Sequence, residues 1–128
     1  MSKLLALIIE DDADLSEIYS RTLQADAVET EIVRDGTAAL DRLKGAPPDV
    51  IVLDLHLPQV GGISVLNHIR DDKRFAKTVV IVTTADVRLA DEARDRADLV
   101  LIKPVSVQQL RELTRRMLQR WHPSDPPA

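Results

Sequence analysis

Apolar and polar positions fall along the chain in two alternating kinds of block. Leu4 to Ile9, Val50 to Leu53, Val79 to Val82 and Leu99 to Ile102 are continuous aliphatic runs. Short runs of this kind suit parallel strands covered on both faces. Val28 to Val33 differs, because Val28, Thr30 and Ile32 alternate with Glu29 and Glu31. A strand with one wetter face predicts an edge position.

Amphipathic stretches lie between these runs. Leu15, Ile18, Tyr19 and Thr22 mark a first helix, with Asp14 and Glu17 at capping-box spacing. Ala39, Leu40 and Leu43 mark a second helix, and Val65, Leu66 and Ile69 a third. Val87, Ala90 and Ala93 mark a weaker fourth. Leu110, Leu113, Met117 and Trp121 mark a fifth, with Ser106 and Gln109 as its capping box.

Strands that alternate with helices predict a parallel sheet with right-handed crossovers. The expected fold is α/β: a (βα)5, doubly wound, five-stranded sheet. With the second strand at an edge, the flavodoxin-like order 2-1-3-4-5 follows. One domain over residues 1–121 accounts for the pattern. The remainder, 122–128, is rich in proline and predicts a disordered tail or the stump of a linker.

Composition narrows the function classes. Aromatic residues make up only 2% of the 128 positions, so aliphatic side chains must fill the core. The net charge of -4 opposes direct binding of nucleic acid. Arg111, Arg115, Arg116 and Arg120 read as a solvated helix face. The absence of cysteine excludes disulfides, thiolate catalysis and cysteine-ligated zinc. The apolar start is cut short by Glu10-Asp11-Asp12 with no small-residue cleavage site, which reads as a strand and not a signal peptide. No run is long enough to span a bilayer, so the expected address is the cytoplasm.

The chemistry gathers where the buried strands end. Glu10-Asp11-Asp12 follow the first, Asp54 the third, Thr83-Thr84 the fourth and Lys103-Pro104 the fifth. In an open parallel sheet these ends share one edge, and ligands bind at the switch point between the first and third strands. Asp11 and Asp54 should therefore be neighbours, flanked by Thr83 and Lys103. Each member alone has an ordinary explanation as a cap, a turn residue or a surface lysine. Together they occupy one edge in the order that the fold requires.

Crowded carboxylates repel, so either one takes a proton or a cation joins them. An all-oxygen cluster with room for water suits Mg2+. The ion would cancel repulsion between Asp54 and an incoming phosphoryl group. Lys103 adds positive charge and the Thr83 hydroxyl a donor, which leaves Asp54 as a carboxylate nucleophile forming an acyl phosphate. Nothing serves as general acid for an alcohol, which points to a good leaving group such as phosphoimidazole.

These residues resemble the receiver domain of bacterial two-component response regulators. The likeness covers about residues 3–120. It rests on Leu7 to Asp12, Asp54-Leu55-His56-Leu57-Pro58, Thr83 and Lys103-Pro104, with Asp35 to Leu40 and Gly61-Gly62 as further marks. The resemblance implies Asp54 as phosphoacceptor and Asp11 as a direct Mg2+ ligand, with Glu10 acting mainly through water. It implies the backbone carbonyl of His56 as another ligand, Lys103 paired with the phosphoryl group, a cis Lys103-Pro104 bond and Thr83 swinging inward. Asp12 has no family role and reads as a bystander or helix cap. The His56 side chain should face the mouth of the pocket and tune hydrolysis.

The implied partners are a histidine kinase or histidine phosphotransfer protein, then a downstream target or an output domain. The output face would be the fourth helix, fifth strand and fifth helix, and a homodimer is left open. Such a domain is a self-phosphorylating and self-dephosphorylating switch, not an enzyme. Val100 departs from the pattern, standing where family members commonly carry an aromatic residue. Thr84 departs too, where a very small residue is usual. Arg94 to Asp98 replaces a glycine-containing turn, which predicts a short or loosely held fourth helix without a glycine cap.

Rival readings are weaker. A phosphatase of the aspartate-nucleophile class needs a second aspartate where His56 stands. A flavodoxin needs a phosphate loop, and Glu10-Asp11-Asp12 would repel one. A receiver that works by protein contact alone would have no need of the full set of Asp11, Asp54, Thr83 and Lys103.

Overall fold

A computed structural model describes residues 3–121 of the chain. The elements in order are β1 Leu5–Ile9, α1 Ala13–Gln24, β2 Glu29–Val33, α2 Gly36–Arg42, β3 Val50–Asp54, α3 Gly62–Asp71, β4 Val79–Thr84, α4 Val87–Ala93, β5 Leu99–Ile102 and α5 Val107–Trp121. A 3-10 turn, Lys73–Phe75, precedes β4. The five strands run in the order β2-β1-β3-β4-β5, and every neighbouring pair is parallel. This is the doubly wound α/β sheet that the alternation of runs predicts. The expected tail, 122–128, lies outside the described residues.

Strand alternation divides the core into two layers. Leu7, Ile9, Ile51, Leu53, Val80 and Val82 face one way, against α2, α3 and α4. Ala6, Ile8, Val50, Val52, Ile81 and Leu101 face the other way, where Tyr19 and Leu23 of α1 and Leu110 and Leu118 of α5 cover them. β3 and β4 are buried along their whole length, as continuous aliphatic runs require. β2 keeps Glu29 and Glu31 exposed at the sheet edge.

Several helical details differ from the sequence reading. The N-cap of α1 is Asp12, whose carboxylate accepts the Leu15 N–H at 2.9 Å. Asp14 and Glu17 therefore do not form the capping box; Asp14 lies inside the first turn, where its charge favours the helix dipole. The buried face of α1 is Ser16, Tyr19, Ser20 and Leu23, and Ile18 is 44% exposed. The helix is rotated because small serines let it approach the sheet, and Ser20 satisfies its hydroxyl on Thr30.

In α4, Ala90 and Ala93 are buried, whereas Val87 is 61% exposed. The helix has only seven residues and ends without a glycine, as expected. In α5 the buried stripe is Leu110, Thr114 and Leu118, with Leu113 and Met117 packed at its side. Ser106 caps that helix through the Gln109 N–H. The side chain of Trp121 lies outside the described side chains.

Candidate functional site

The same alternation that builds the α1/α5 layer aims the polar residues at the carboxyl end of the sheet. Glu10 continues the series Ala6, Ile8; Asp54 continues Val50, Val52; Thr83 continues Ile81; Lys103 continues Leu101. Each lies an even number of positions from a core residue, so all four fall on one face of one edge. Adjacency completes the set. β1 pairs with β3, and Asp54 stands in register with Thr83 on β4.

The contacts follow from this placement. Carboxylate oxygens of Glu10, Asp11 and Asp54 lie within 4.8 Å of one another. Glu10 is 1% and Asp54 2% exposed, while Asp11 faces solvent. The Lys103 ammonium donates to Glu10 Oε1 at 2.9 Å and lies 3.3 Å from Asp54 Oδ2. Asp54 Oδ1 accepts the His56 N–H at 3.0 Å, and Glu10 Oε2 accepts the Asp12 N–H at 3.2 Å. The Lys103-Pro104 bond is cis, as the resemblance implies.

Two buried acids and one lysine leave an uncompensated negative charge, and Glu10 carries the consequence. Burial, a hydrogen bond with Asp54 and the Asp54 charge push its carboxyl up to about 7, against the opposing bonds from Lys103 and the Asp12 N–H. Burial alone would lower Lys103, but its bond to Glu10 and the charges of Asp54 and Glu10 outweigh it and raise the ammonium above its ordinary value. The site is thus short of positive charge.

Loop packing holds the constellation open. At Gly62, the first residue of α3, a Cβ would collide with the Leu55 Cα and the Asp54 carbonyl oxygen. At Gly36 a Cβ would collide with Val60. Glycine at these two positions lets α3 and the 55–61 loop close beneath Asp54. His56 is exposed, and its backbone N–H is the group that meets Asp54. Thr84 is fully buried, and its hydroxyl accepts the Asp86 N–H at 3.0 Å, which fixes the turn into α4.

Every site residue expected from the sequence stands at this rim. Of the two readings of Asp12, bystander or helix cap, the structure shows the cap.

Comparison with known proteins agrees with the geometry. The chain is 31% identical over 114 residues to the DNA-binding response regulator MtrA of Mycolicibacterium paratuberculosis, a match covering 89% of this chain and 51% of MtrA. It therefore spans about half the length of that relative. It is 31% identical over 115 residues to the polar-differentiation response regulator DivK of Brucella ovis, covering 88% of this chain and 94% of DivK. The signal receiver domain of a LuxO repressor protein from Vibrio parahaemolyticus superposes with a TM-score of 0.86 at 28% identity, covering 97% of this chain and 96% of that one. The family model of the response regulator receiver domain matches residues 6–115, and the chain belongs to that family of two-component signalling modules.

Proposed function

We propose that this domain, residues 1–121, is a phosphorylation switch in which Asp54 accepts a phosphoryl group from a phosphohistidine donor. One observation carries the reading: a buried Asp54 carboxylate within a cluster of three acids, with the Lys103 ammonium 3.3 Å away. An Asp54 oxygen attacks phosphorus, the P–N bond breaks, and the imidazole nitrogen leaves with the electron pair and takes a proton. Lys103 and the Thr83 hydroxyl are placed to neutralise and hold the phosphoryl oxygens.

The donor set fits Mg2+. It is all oxygen, with carboxylate oxygens of three acids within 4.8 Å of one another. Asp11, Asp54 and the His56 carbonyl would hold the ion, with Glu10 acting through water. When bound it supplies charge neutralisation for the transferring group. The partners are a histidine kinase or phosphotransfer protein on the donor side and a target protein or output domain on the other. No helix among the described residues is long and apolar enough to cross a membrane, which accords with a cytoplasmic role. The domain turns over only its own acyl phosphate.

Incubation with acetyl phosphate and Mg2+ tests this reading. The protein should gain one hydroxylamine-labile phosphate, and Asp54→Asn should gain none. Label that persists on Asp54→Asn, or labelling unchanged by EDTA, would overturn the proposal.

A further inference from the structure

Tyr19 is 1% exposed, and its hydroxyl has no hydrogen-bond partner among the described residues. A buried phenol normally finds one. α1 covers the sheet face on which Glu10, Asp54 and Lys103 end their strands, and Tyr19 packs in that layer with Ile8, Val52 and Leu101. Each of those three residues stands two positions before one of the site groups.

The electrostatics agree. Burial raises the phenol above its ordinary value; Lys103 is the strongest charge acting on it and opposes that rise, while Glu10, Asp54 and Asp12 add to it. The ammonium has three hydrogens. Glu10 takes one, and Asp54 stands 3.3 Å from the nitrogen.

We infer that Tyr19 is a positioning residue for Lys103, its phenol oxygen accepting from the ammonium, directly or through one water, when that charge turns from Asp54 to an incoming phosphoryl oxygen. This rests on the proposed role of Asp54. The phenol then restricts where the ammonium stands. A phenylalanine at this place would fill nearly the same volume and leave the lysine freer.

Tyr19 is the chain's only tyrosine, so tyrosine labelled with 13C at Cζ gives a single NMR signal. That signal should move in Lys103→Met, and again when wild type is loaded with beryllofluoride and Mg2+. Tyr19→Phe, checked for folding by circular dichroism, should label with acetyl phosphate about three- to tenfold more slowly. A signal indifferent to Lys103→Met, or wild-type kinetics in Tyr19→Phe, would show a phenol that only packs. Wild type that takes no phosphate would instead defeat the reading of Asp54, and the Lys103→Met comparison would still decide the contact. Should Tyr19→Phe fail to fold, that comparison decides alone.

Discussion

Glu10→Gln separates the electrostatic cost of the acidic pocket from its fold. The glutamine keeps an oxygen for Lys103 and removes the ionisation. In metal-free wild type the Glu10 carboxyl is raised from 4.5 to about 7. A native group with a raised pKa binds a proton that the unfolded chain has already released. Its stabilising contribution is therefore whole below pH 4.5 and is lost as pH rises through 7. At ~1.4 kcal/mol per pH unit, that interval is worth ~3 kcal/mol.

Urea unfolding in EDTA at pH 5 and pH 8 measures the effect. Glu10→Gln should match wild type within ~1 kcal/mol at pH 5 and exceed it by ~2–3 kcal/mol at pH 8. Saturating Mg2+ should stabilise wild type at pH 8 and narrow the gap, because a cation replaces the missing charge. A stability difference that does not vary with pH would refute the argument that Glu10 carries the excess negative charge.

Two further outcomes follow from the same structure. The Thr83 hydroxyl is buried without a partner among the described residues, so Thr83→Val should raise the urea-unfolding stability of the metal-free protein by ~1 kcal/mol while weakening beryllofluoride binding in the same preparation; a loss of stability would show that the hydroxyl is already satisfied. Ala27 adopts φ 62 between α1 and β2, a region costing a non-glycine residue ~1–2 kcal/mol, so after glycine's greater chain entropy Ala27→Gly should gain ~0.5 kcal/mol in the same assay.

The sheet and its chemical rim were legible in the sequence because both depend on a period of two. Continuous aliphatic runs mark strands buried on both faces, and the residue that ends each run inherits a defined direction. This is why Asp11, Asp54, Thr83 and Lys103 could be brought to one edge from the strand ends, whereas the period of two explains why Glu10, and not the exposed Asp11, bonds Lys103. The helical faces were less legible. Ile18 and Val87 fit an apolar stripe by spacing and are nevertheless exposed, because rotation about a helix axis is set by the partner surface. Ser16, Ser20 and Thr114 are buried instead, and nothing in their hydropathy announces it.

The stretch from Arg94 to Asp98 shows how far such reading can go. The sequence reveals a turn without glycine and so an unusual approach to β5. It does not reveal what replaces the glycine. Arg70, at the end of α3, donates from Nε to the Arg96 carbonyl at 2.6 Å and from Nη2 to Asp98 Oδ2 at 2.8 Å. Asp98 Oδ2 also accepts the Val80 N–H at 2.7 Å, and Arg96 pairs with Asp71 at 2.8 Å. The guanidinium of Arg70 thus holds the turn to α3, and Asp98 holds it to β4, at the edge of the sheet opposite Asp54. The other end of β5 is tied through its backbone, the Lys103 N–H donating to the Thr84 carbonyl at 2.8 Å beside Ile102, which is 42% exposed.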